Sequence, residues 1–414
     1  MIAPVTPETA ILPPAEEAAA MWRLPQVQAA RRQATALWRL GYGTDVPAEA
    51  EPGFAQAMDE YVTNYLLKGT ACDTDHPRFV RDFQSPAEIA AAGLPGARMG
   101  GDNPDNIYRL AAVAHGTAYR MTGRIAGRSA PDVSFSLMGN WGTSVGIATI
   151  GLHELEVDGA GRFALTIDDR PADGRRNHLT SAPHAKFLFV RDSLMDWAAE
   201  TAVELAIERV GPPGRPPLTI EEKAAQACFR LIEDIPLYYW FTRLFSGRAA
   251  NTLAVPAKVS GMGGLATQTS AMGRLSLAPD EAAIIRFDPA GARYASLVAY
   301  DWWFRSIDVD SRQSSLTVAM AAPDPDGWIS CVACAGDPGV ANWIDTGGLA
   351  ETLPLVRWQG LPAEEVRGGP VAGIRIVRRD RLDAELPAAD RIDPAERARR
   401  LAARKAALLR RAPF

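Results

Sequence analysis

The spacing of apolar positions changes period along the chain. Near the start, Trp22, Leu24, Val27 and Ala30 fall near helical spacing, and the alanine-rich run over 15–40 predicts a helix. Phe54, Met58, Tyr61, Val62 and Leu66 recur at three and four residues and predict a second helix over 54–67. Ser85-Pro-Ala-Glu88 has the cap, first-turn proline and third-position glutamate of a capping box, so a short helix should begin there and stop near Gly93. From Gly100-Gly101 onward the period drops to two. Runs over 108–127, 133–137, 187–190, 282–287, 294–300, 314–321, 328–334, 355–358 and 374–377 predict strands. The stretch 152–167 reads as a hairpin around a glycine-rich turn, and Asp324-Pro-Asp-Gly327 marks another turn. Between the strand-rich stretches, 194–209 and 219–246 read as helices joined by the proline-rich 211–217. Asp393-Pro-Ala-Glu396 opens a final helix.

Strands and helices are segregated rather than alternating, which places the chain in the α+β class. The architecture expected is a β-dominated jelly-roll or sandwich-like core with N-terminal helices, a helical insertion at about 194–246 and a C-terminal helix. It divides into a helical segment over 1–99, a β-rich core over 100–390 and a basic helix over 391–414. Strands from 100–190 and 280–380 are expected to share one continuous β core.

Composition alters this picture little. The 414 residues are 47% hydrophobic and 22% charged, with a net charge of −5, so nothing global favours nucleic acid or a membrane surface as partner. No apolar run approaches the roughly 18 residues of a membrane helix, and the start lacks a secretory signal pattern. The expectation is a cytoplasmic protein that binds a small molecule, with no nucleic-acid or membrane partner and with homo-oligomerisation open. The tail over 391–414 carries eight Arg or Lys against two acids. It reads as a solvated helix held by Leu401, Leu408 and Leu409, since no aromatic residue interleaves for base stacking.

The motif search excludes more than it finds. Cys331-Val-Ala-Cys334 lies in a strand-like run, where residues three apart face opposite ways, so it is not read as a redox pair. Gly142-Thr-Ser144-Val-Gly146 matches G-x-S-x-G, but a strand rather than a helix follows, so no nucleophile elbow is expected. The histidines, His76, His115, His153, His178 and His184, have no metal-ligand spacing; His178 and His184 flank a turn-rich loop and stand out most. Gly261-Met-Gly-Gly264 lacks the strand and helix of a dinucleotide loop. Neither metal nor cofactor is expected.

Positive chemistry concentrates in one region. Five of the ten tryptophans, Trp302, Trp303, Trp328, Trp343 and Trp358, lie within 57 residues, interleaved with Asp301, Arg305, Asp308, Asp310, Arg312, Asp345 and Arg357. Aromatic faces beside carboxylates and guanidiniums suit an organic ligand such as a sugar or a hydroxylated ring. Asp337-Pro-Gly-Val-Ala-Asn-Trp-Ile-Asp-Thr-Gly-Gly348 holds Asn342, Trp343 and Asp345 between two turns. Asn342 and Asp345 either converge on a ligand or hydrogen-bond the loop's own backbone.

Several segments resemble the domain-of-unknown-function 1214 family: Gly101-Asp-Asn-Pro-Asp-Asn-Ile-Tyr-Arg109, Phe189-Val-Arg191 with Asp196-Trp197, Leu277-Ala-Pro-Asp-Glu-Ala282, the run from Trp303 to Leu316, the Asp337 to Gly348 segment, and Arg357-Trp358. The resemblance covers roughly 100–411. It implies a jelly-roll-like core without a settled activity, and no domain-of-unknown-function 1254 partner is recognisable. Asn106, Arg109, Arg191, Asp337, Asn342, Trp343, Asp345 and Arg357 occupy the family's recurring polar and aromatic places.

Two functions follow as expectations. The first is a cofactor-independent enzyme acting by general acid–base chemistry, through hydrolysis, elimination or isomerisation. Asp301, Asp308 or Asp345 would be acid and base, Arg312 or Arg357 would hold an anionic group, and Trp303 and Trp343 would stack on the substrate. Asn342, Asn106, Arg109 and Arg191 complete the ligand-binding candidates. The second is a non-catalytic protein that binds a carbohydrate or another small ligand. Two carboxylates about 5–9 Å apart across a tryptophan-lined pocket would mark the enzyme.

Overall fold

Pro25 divides the first helical region in two. In the computed structural model, which describes residues 12–42, 45–258, 267–362, 370–386 and 391–411, α1 spans Pro14–Trp22 and α2 spans Pro25–Tyr42. The third helix, α3 (Phe54–Thr70), is buried on almost every side. The capping box closes as its spacing requires: Ser85 Oγ accepts from Glu88 N and the Glu88 carboxylate accepts from Ser85 N, opening α4 (Pro86–Ile89). The chain then turns at Gly93 in the left-handed region.

Eight strands follow: β1 (Asn106–Ala112), β2 (Tyr119–Arg124), β3 (Asp132–Met138), β4 (Gly146–Gly151), β5 (Arg162–Asp168), β6 (His178–Thr180), β7 (Phe187–Ser193) and β8 (Glu204–Arg209). They form two four-stranded sheets, ordered β1-β7-β3-β4 and β6-β5-β2-β8. Ile107, Val133, Phe135, Leu188 and Val190 of one sheet meet Met121, Phe163 and Leu165 of the other in a shared core.

Two local expectations are corrected here. The stretch 152–167 is not a hairpin. Its first half is a 3-10 turn, Leu152–Glu154, because the Glu154 carboxylate accepts from Gly151 N at 2.6 Å and bends the chain. Only β5 is extended, and it pairs with β2 and β6. The stretch 194–209 is not a helix. Asp196 takes the backbone N–H groups of Ala198 and Ala199 in a turn, and β8 alternates exposed Glu204 and Glu208 with more sheltered Leu205 and Ile207. The helical insertion is therefore α5 alone (Ile220–Ser246), capped by Thr219 and Glu222.

The second strand-rich stretch holds β9 (Thr252–Leu253), β10 (Ala257–Lys258), β11 (Gln268–Ser276), β12 (Glu281–Phe287), β13 (Tyr294–Tyr300), β14 (Ser315–Thr317), β15 (Ile329–Cys334), β16 (Trp343–Asp345), β17 (Glu351–Gln359) and β18 (Ala372–Arg378). One sheet runs β10-β11-β17-β13-β14 with β9 on β11, and the other β16-β15-β12-β18. Their inner faces enclose Ala271, Ile285, Leu297, Cys331, Val356 and Trp358. Among the described residues no strand of the first stretch pairs with one of the second. The single continuous β core is thus replaced by two sandwiches, each closed on its own apolar interior. The α+β, β-dominated class stands.

The helices fill the space outside the sandwiches. Residues Tyr108, Leu110, Phe187 and Phe189 on the outward face of the β1-β7 sheet pack against Tyr61, Tyr65 and Leu66 of α3. Met272, Tyr300 and Leu355 on the outward face of the second sandwich pack with Phe245 of α5 and Phe304. Two short C-terminal elements, α6 (Leu382–Glu385) and α7 (Pro394–Arg410), complete the chain. On α7 Leu408 is buried but Leu409 is exposed, so the expected leucine stripe is only partly used. Arginines take its place. Arg397 pairs with Asp337 at 2.9 Å, Arg404 lies over the Trp197 ring at 3.9 Å, and Arg411, just past the helix, donates to the Pro104 carbonyl at 2.8 Å. Among the described residues no helix is long and apolar enough to cross a membrane.

One buried acid ties the helical layer to both loops beneath it. Glu60 of α3 is fully buried and accepts from Arg98 at 2.7 and 2.8 Å and from Arg305 at 2.8 Å. Arg98 also donates to the Ser306 carbonyl, and Arg305 is held by Asp301. Glu60→Leu would leave Arg98 buried without its carboxylate and Arg305 with Asp301 alone, and breaking a buried pair from one side costs about 3–5 kcal/mol. We expect urea denaturation of Glu60→Leu to show a loss of that size; a loss below 1 kcal/mol would remove Glu60 from this role.

Candidate ligand site

The outward faces of the two sandwiches do not touch α5 everywhere. Between them lies a cavity of about 320 Å³. Strand periodicity decides which side chains reach it. Along β7, Phe187, Phe189 and Arg191 point outward while Leu188 and Val190 enter the first core. Tyr108 is the register partner of Arg191 and shares its face. Along β17, Leu353, Leu355 and Arg357 point outward while Val356 and Trp358 enter the second core. Ser270 is the register partner of Arg357, and Met272 of Leu355. The helix contributes Leu237, Phe241, Leu244 and Phe245, which recur at four, three and one along one face.

The remaining wall is the turn at Gly100-Gly101-Asp102-Asn103. Gly101 has φ +77° and donates to the Phe304 carbonyl at 2.8 Å, and a Cβ there would meet the Phe304 ring at 2.5 Å. Only glycine fits both conditions. The approach lets the Gly101 carbonyl accept from Arg357 Nη2 at 2.6 Å, while Arg357 Nη1 donates to Tyr300 Oη at 2.5 Å. Asn103 Nδ2 donates to Asn106 Oδ1 at 3.2 Å, and Asn103 N donates to Tyr108 Oη.

The charge of this lining is opposite to that of the whole chain. Among the described residues its cations are Arg191, Arg248, Lys258 and Arg357, and its one carboxylate is Asp102. Arg191 and Arg357 are both buried, and Arg191 lies 4.5 Å over the Phe189 ring. Burial lowers the Arg191 pKa, which still leaves a guanidinium charged at neutral pH. Burial pushes Asp102 up to about 6, although hydrogen bonds from Ser306 and the Arg98 charge oppose the shift. Both Asp102 oxygens are engaged, one by Ser306 N at 3.0 Å and the other by Ser306 Oγ at 2.6 Å.

Three of the residues singled out in the sequence meet here: Asn106, Arg191 and Arg357. The others lie elsewhere. Asp301 accepts from the backbone N–H of Trp303 and Arg305 and from the Arg305 guanidinium. Asp308 is half-exposed beside Ser311 and Arg312. Asp345 is buried and accepts from Arg312 Nη1 and Gly347 N, both at 2.9 Å. Asn342 bonds the Ala322 backbone in both directions and donates to the Ser330 carbonyl. Trp343 donates to the Cys334 carbonyl and lies beneath Arg397. Trp303 donates to the Ala50 carbonyl inside the helical layer, against Phe54. Arg109 points into the first sandwich, where it binds Asp192 and the Val203 carbonyl.

The Asp337 to Gly348 segment is accordingly a clasp for α7, and its polar groups serve backbone and ion pairs. The tryptophans disperse, and none lines the cavity. Cys331 faces the interior of the second sandwich and Cys334 the outer face of the same sheet, and burial raises both thiols, Cys334 to about 11. Ser144 lines the cavity, but its Oγ accepts from Asn140 Nδ2 and the chain continues into β4. His178 and His184 lie outside the lining, and Gly261 to Gly264 lie outside the described residues. The reading of the sequence passed over Asp102, Asn103, Gln268 and Ser270 as individual candidates. The signal for the first two was the glycine pair before them; Gln268 and Ser270 show themselves only through the register with β17.

Compared with known protein families and with curated proteins, the chain matches none. Its fold is similar to that of an uncharacterized protein from Burkholderia cenocepacia, with a TM-score of 0.69 over 86% of this chain and 95% of that one, at 23% identity. The VPA0106 protein from Vibrio parahaemolyticus aligns over 78% of this chain and 99% of that one, with a TM-score of 0.41 and 10% identity. The likeness to the Burkholderia protein is one of fold.

Two predictions test these assignments. Asp345→Asn removes the closer of the two carboxylates paired with Arg312 and should lower the melting temperature by several degrees, as losing about 1–3 kcal/mol of buried hydrogen bonding would. An unchanged melting temperature would contradict the structural role. Asp102 ionises at a higher pH when folded than its ordinary 3.8, so its ionisation disfavours the folded state. That cost is absent below about pH 4 and complete above about pH 6 to 7. Stability of wild type relative to Asp102→Asn should therefore fall as pH rises through that window; a flat difference in urea-denaturation free energy would refute it.

Proposed function

We propose that the protein binds a small organic anion in the cavity between the two sandwiches and α5. One observation carries this reading: arginines from separate sandwiches, Arg191 and Arg357, are buried in the wall of one aromatic cavity whose lining, among the described residues, holds a single carboxylate. An ionised group in a low-dielectric wall is costly unless an opposite charge or hydrogen-bond acceptors meet it. Tyr300 Oη and the Gly101 carbonyl supply acceptors for Arg357, and among the described residues no carboxylate lies within ion-pair distance of it. An anionic ligand supplies that charge.

The segments that resemble the domain-of-unknown-function 1214 family support the same location. Gly101 to Arg109, Phe189-Val-Arg191 and Arg357-Trp358 each send residues into the cavity wall. Membership of that family belongs to this proposal. The non-catalytic binding role is favoured over acid–base catalysis, because Asp301, Asp308 and Asp345 all lie outside the cavity. Asp102, with its raised pKa, is the residue on which a catalytic reading rests, and Ser306 already occupies both of its oxygens.

The test uses 1-anilinonaphthalene-8-sulfonate, an aromatic anion, with the full chain. We expect saturable one-to-one fluorescence enhancement, weakened about tenfold or more in Arg357→Met, since a charge-assisted hydrogen bond contributes about 1.5–3 kcal/mol. Equal affinity in wild type and Arg357→Met would overturn the anion site.

A further inference from the structure

Hydrogen bonds in the cavity wall have a direction, and the direction limits what a ligand must offer. Tyr108 Oη accepts from Asn103 N at 3.1 Å. A backbone N–H cannot accept in return, so the Tyr108 proton is left for another partner. Tyr108 and Arg357 border the same turn: Tyr108 is bound at Asn103 N, and Arg357 Nη2 donates to the Gly101 carbonyl. Arg357 spends one further N–H on Tyr300 Oη and keeps its other donors.

Ser144 repeats the pattern in another part of the wall. Asn140 Oδ1 accepts from Ser144 N at 2.9 Å and from Val145 N at 3.0 Å, which settles the orientation of its amide. Asn140 Nδ2 therefore donates to Ser144 Oγ, at 2.8 Å, and the Ser144 proton is left over. The loop is also held from α5, where Tyr238 Oη donates to the Gly142 carbonyl at 2.9 Å. Thr143, beside Ser144 in the lining, takes φ +51°, an outlying conformation for a β-branched residue.

Among the described residues neither hydroxyl proton meets an acceptor, and both side chains are more than nine-tenths buried in the cavity lining. A buried donor left unmatched is costly. Tyr108 also borders a void of about 20 Å³ toward Arg411, which has room for roughly one water and for no organic ligand. The two donors lie apart. Tyr108 is level with Arg191 of β7, whereas β3 runs into the Ser144 loop at Met138, level with Phe187 and four residues away along β7. Four strand residues span roughly 13 Å. Resting on the anion-site reading, we infer that Tyr108 and Ser144 both donate to the ligand, which is an organic acid with a second oxygen acceptor remote from its acid group: a keto acid. The carboxylate takes Arg357 and the Tyr108 hydroxyl, and the distant ketone oxygen takes the Ser144 hydroxyl. A ketone fits the second place because it accepts without bringing a donor of its own.

Displacement of anilinonaphthalene sulfonate from the full chain compares each keto acid with the acid that lacks its ketone: 5-oxohexanoate with hexanoate, 7-oxooctanoate with octanoate, and 9-oxodecanoate with decanoate. We expect at least one keto acid to bind about fivefold or more tighter than its parent. Ser144→Ala should bring that ratio to about one, and Ser144→Thr, which keeps a hydroxyl, should restore most of it. Tyr108→Phe should weaken both members of the pair by about fivefold or more and leave the ratio as it was. The ratio within one variant does not move with a general loss of stability, which either substitution can bring. A wild-type ratio of about one in every pair, or a ratio that survives Ser144→Ala, would overturn the second acceptor. Unchanged affinity of both acids in Tyr108→Phe would turn its hydroxyl toward the small void and remove it from the site. In each of these cases weakened probe binding in Arg357→Met keeps the anion site standing. Acids that displace no probe, together with a probe that binds Arg357→Met as it binds wild type, would sink the keto-acid class and the anion site together.

Discussion

Glu60 is the group on which the arrangement of layers depends. It is an acid on a helix buried on nearly all sides, and its charge is tolerable only because two guanidiniums reach it from different parts of the chain. Arg98 comes from the segment leading into the first sandwich and Arg305 from the turn after β13 of the second. Each arginine is itself fastened, Arg98 to the Ser306 carbonyl and Arg305 to Asp301. The network therefore sets where the Gly100 to Asn103 turn meets the Phe304 to Ser306 turn. Apolar packing alone is tolerant of small shifts, whereas a buried ion pair with defined hydrogen bonds is not.

The cavity follows from that placement. A sandwich buries its inward faces in its own core, and its outward faces must be covered by something else or stay wet. Here α3 covers the outward face of β1 and β7, and α5 spans toward that of β11 and β17. Where the helices run out of side chains to fill the gap, the two outward faces present arginines instead. Arg191 occupies the same outward register as Phe189, and Arg357 the same register as Leu355. Each strand thus switches from apolar to cationic within one pleat repeat, which gives the cavity an apolar side and a charged end without any insertion or cofactor loop.

The C-terminal helix works by the same economy of buried charge. Arg397, Arg404 and Arg411 are seven residues apart and so lie on nearly one face. They reach Asp337, the Trp197 ring and the Pro104 carbonyl, which belong to the second sandwich, the first sandwich and the turn between helices and strands. A tail that looks like a solvated basic helix is in fact a strap, with its arginine stems covering apolar surface.

By itself the sequence determined most of the local elements and the fold class. The capping box at Ser85, the helix cap at Asp393, a period of three to four on α3 and a period of two along β12, β13 and β15 are local signals, read within a few residues of where they act. It also contained Asn106, Arg191 and Arg357 as candidates. It could not say that these three converge, because they lie on separate strands and meet only through register and through the contact of two sandwiches. The same distance dependence explains the misreadings. Asp345 and Trp343 have the residue types of a site, but whether such groups face a ligand or their own backbone is settled by what packs beside them, here Arg312, Arg397 and α7. Two separate apolar interiors and one continuous core have the same alternating strands. Only the tertiary structure decided between them, because pairing partners are chosen by long-range burial and not by the strand's own pattern.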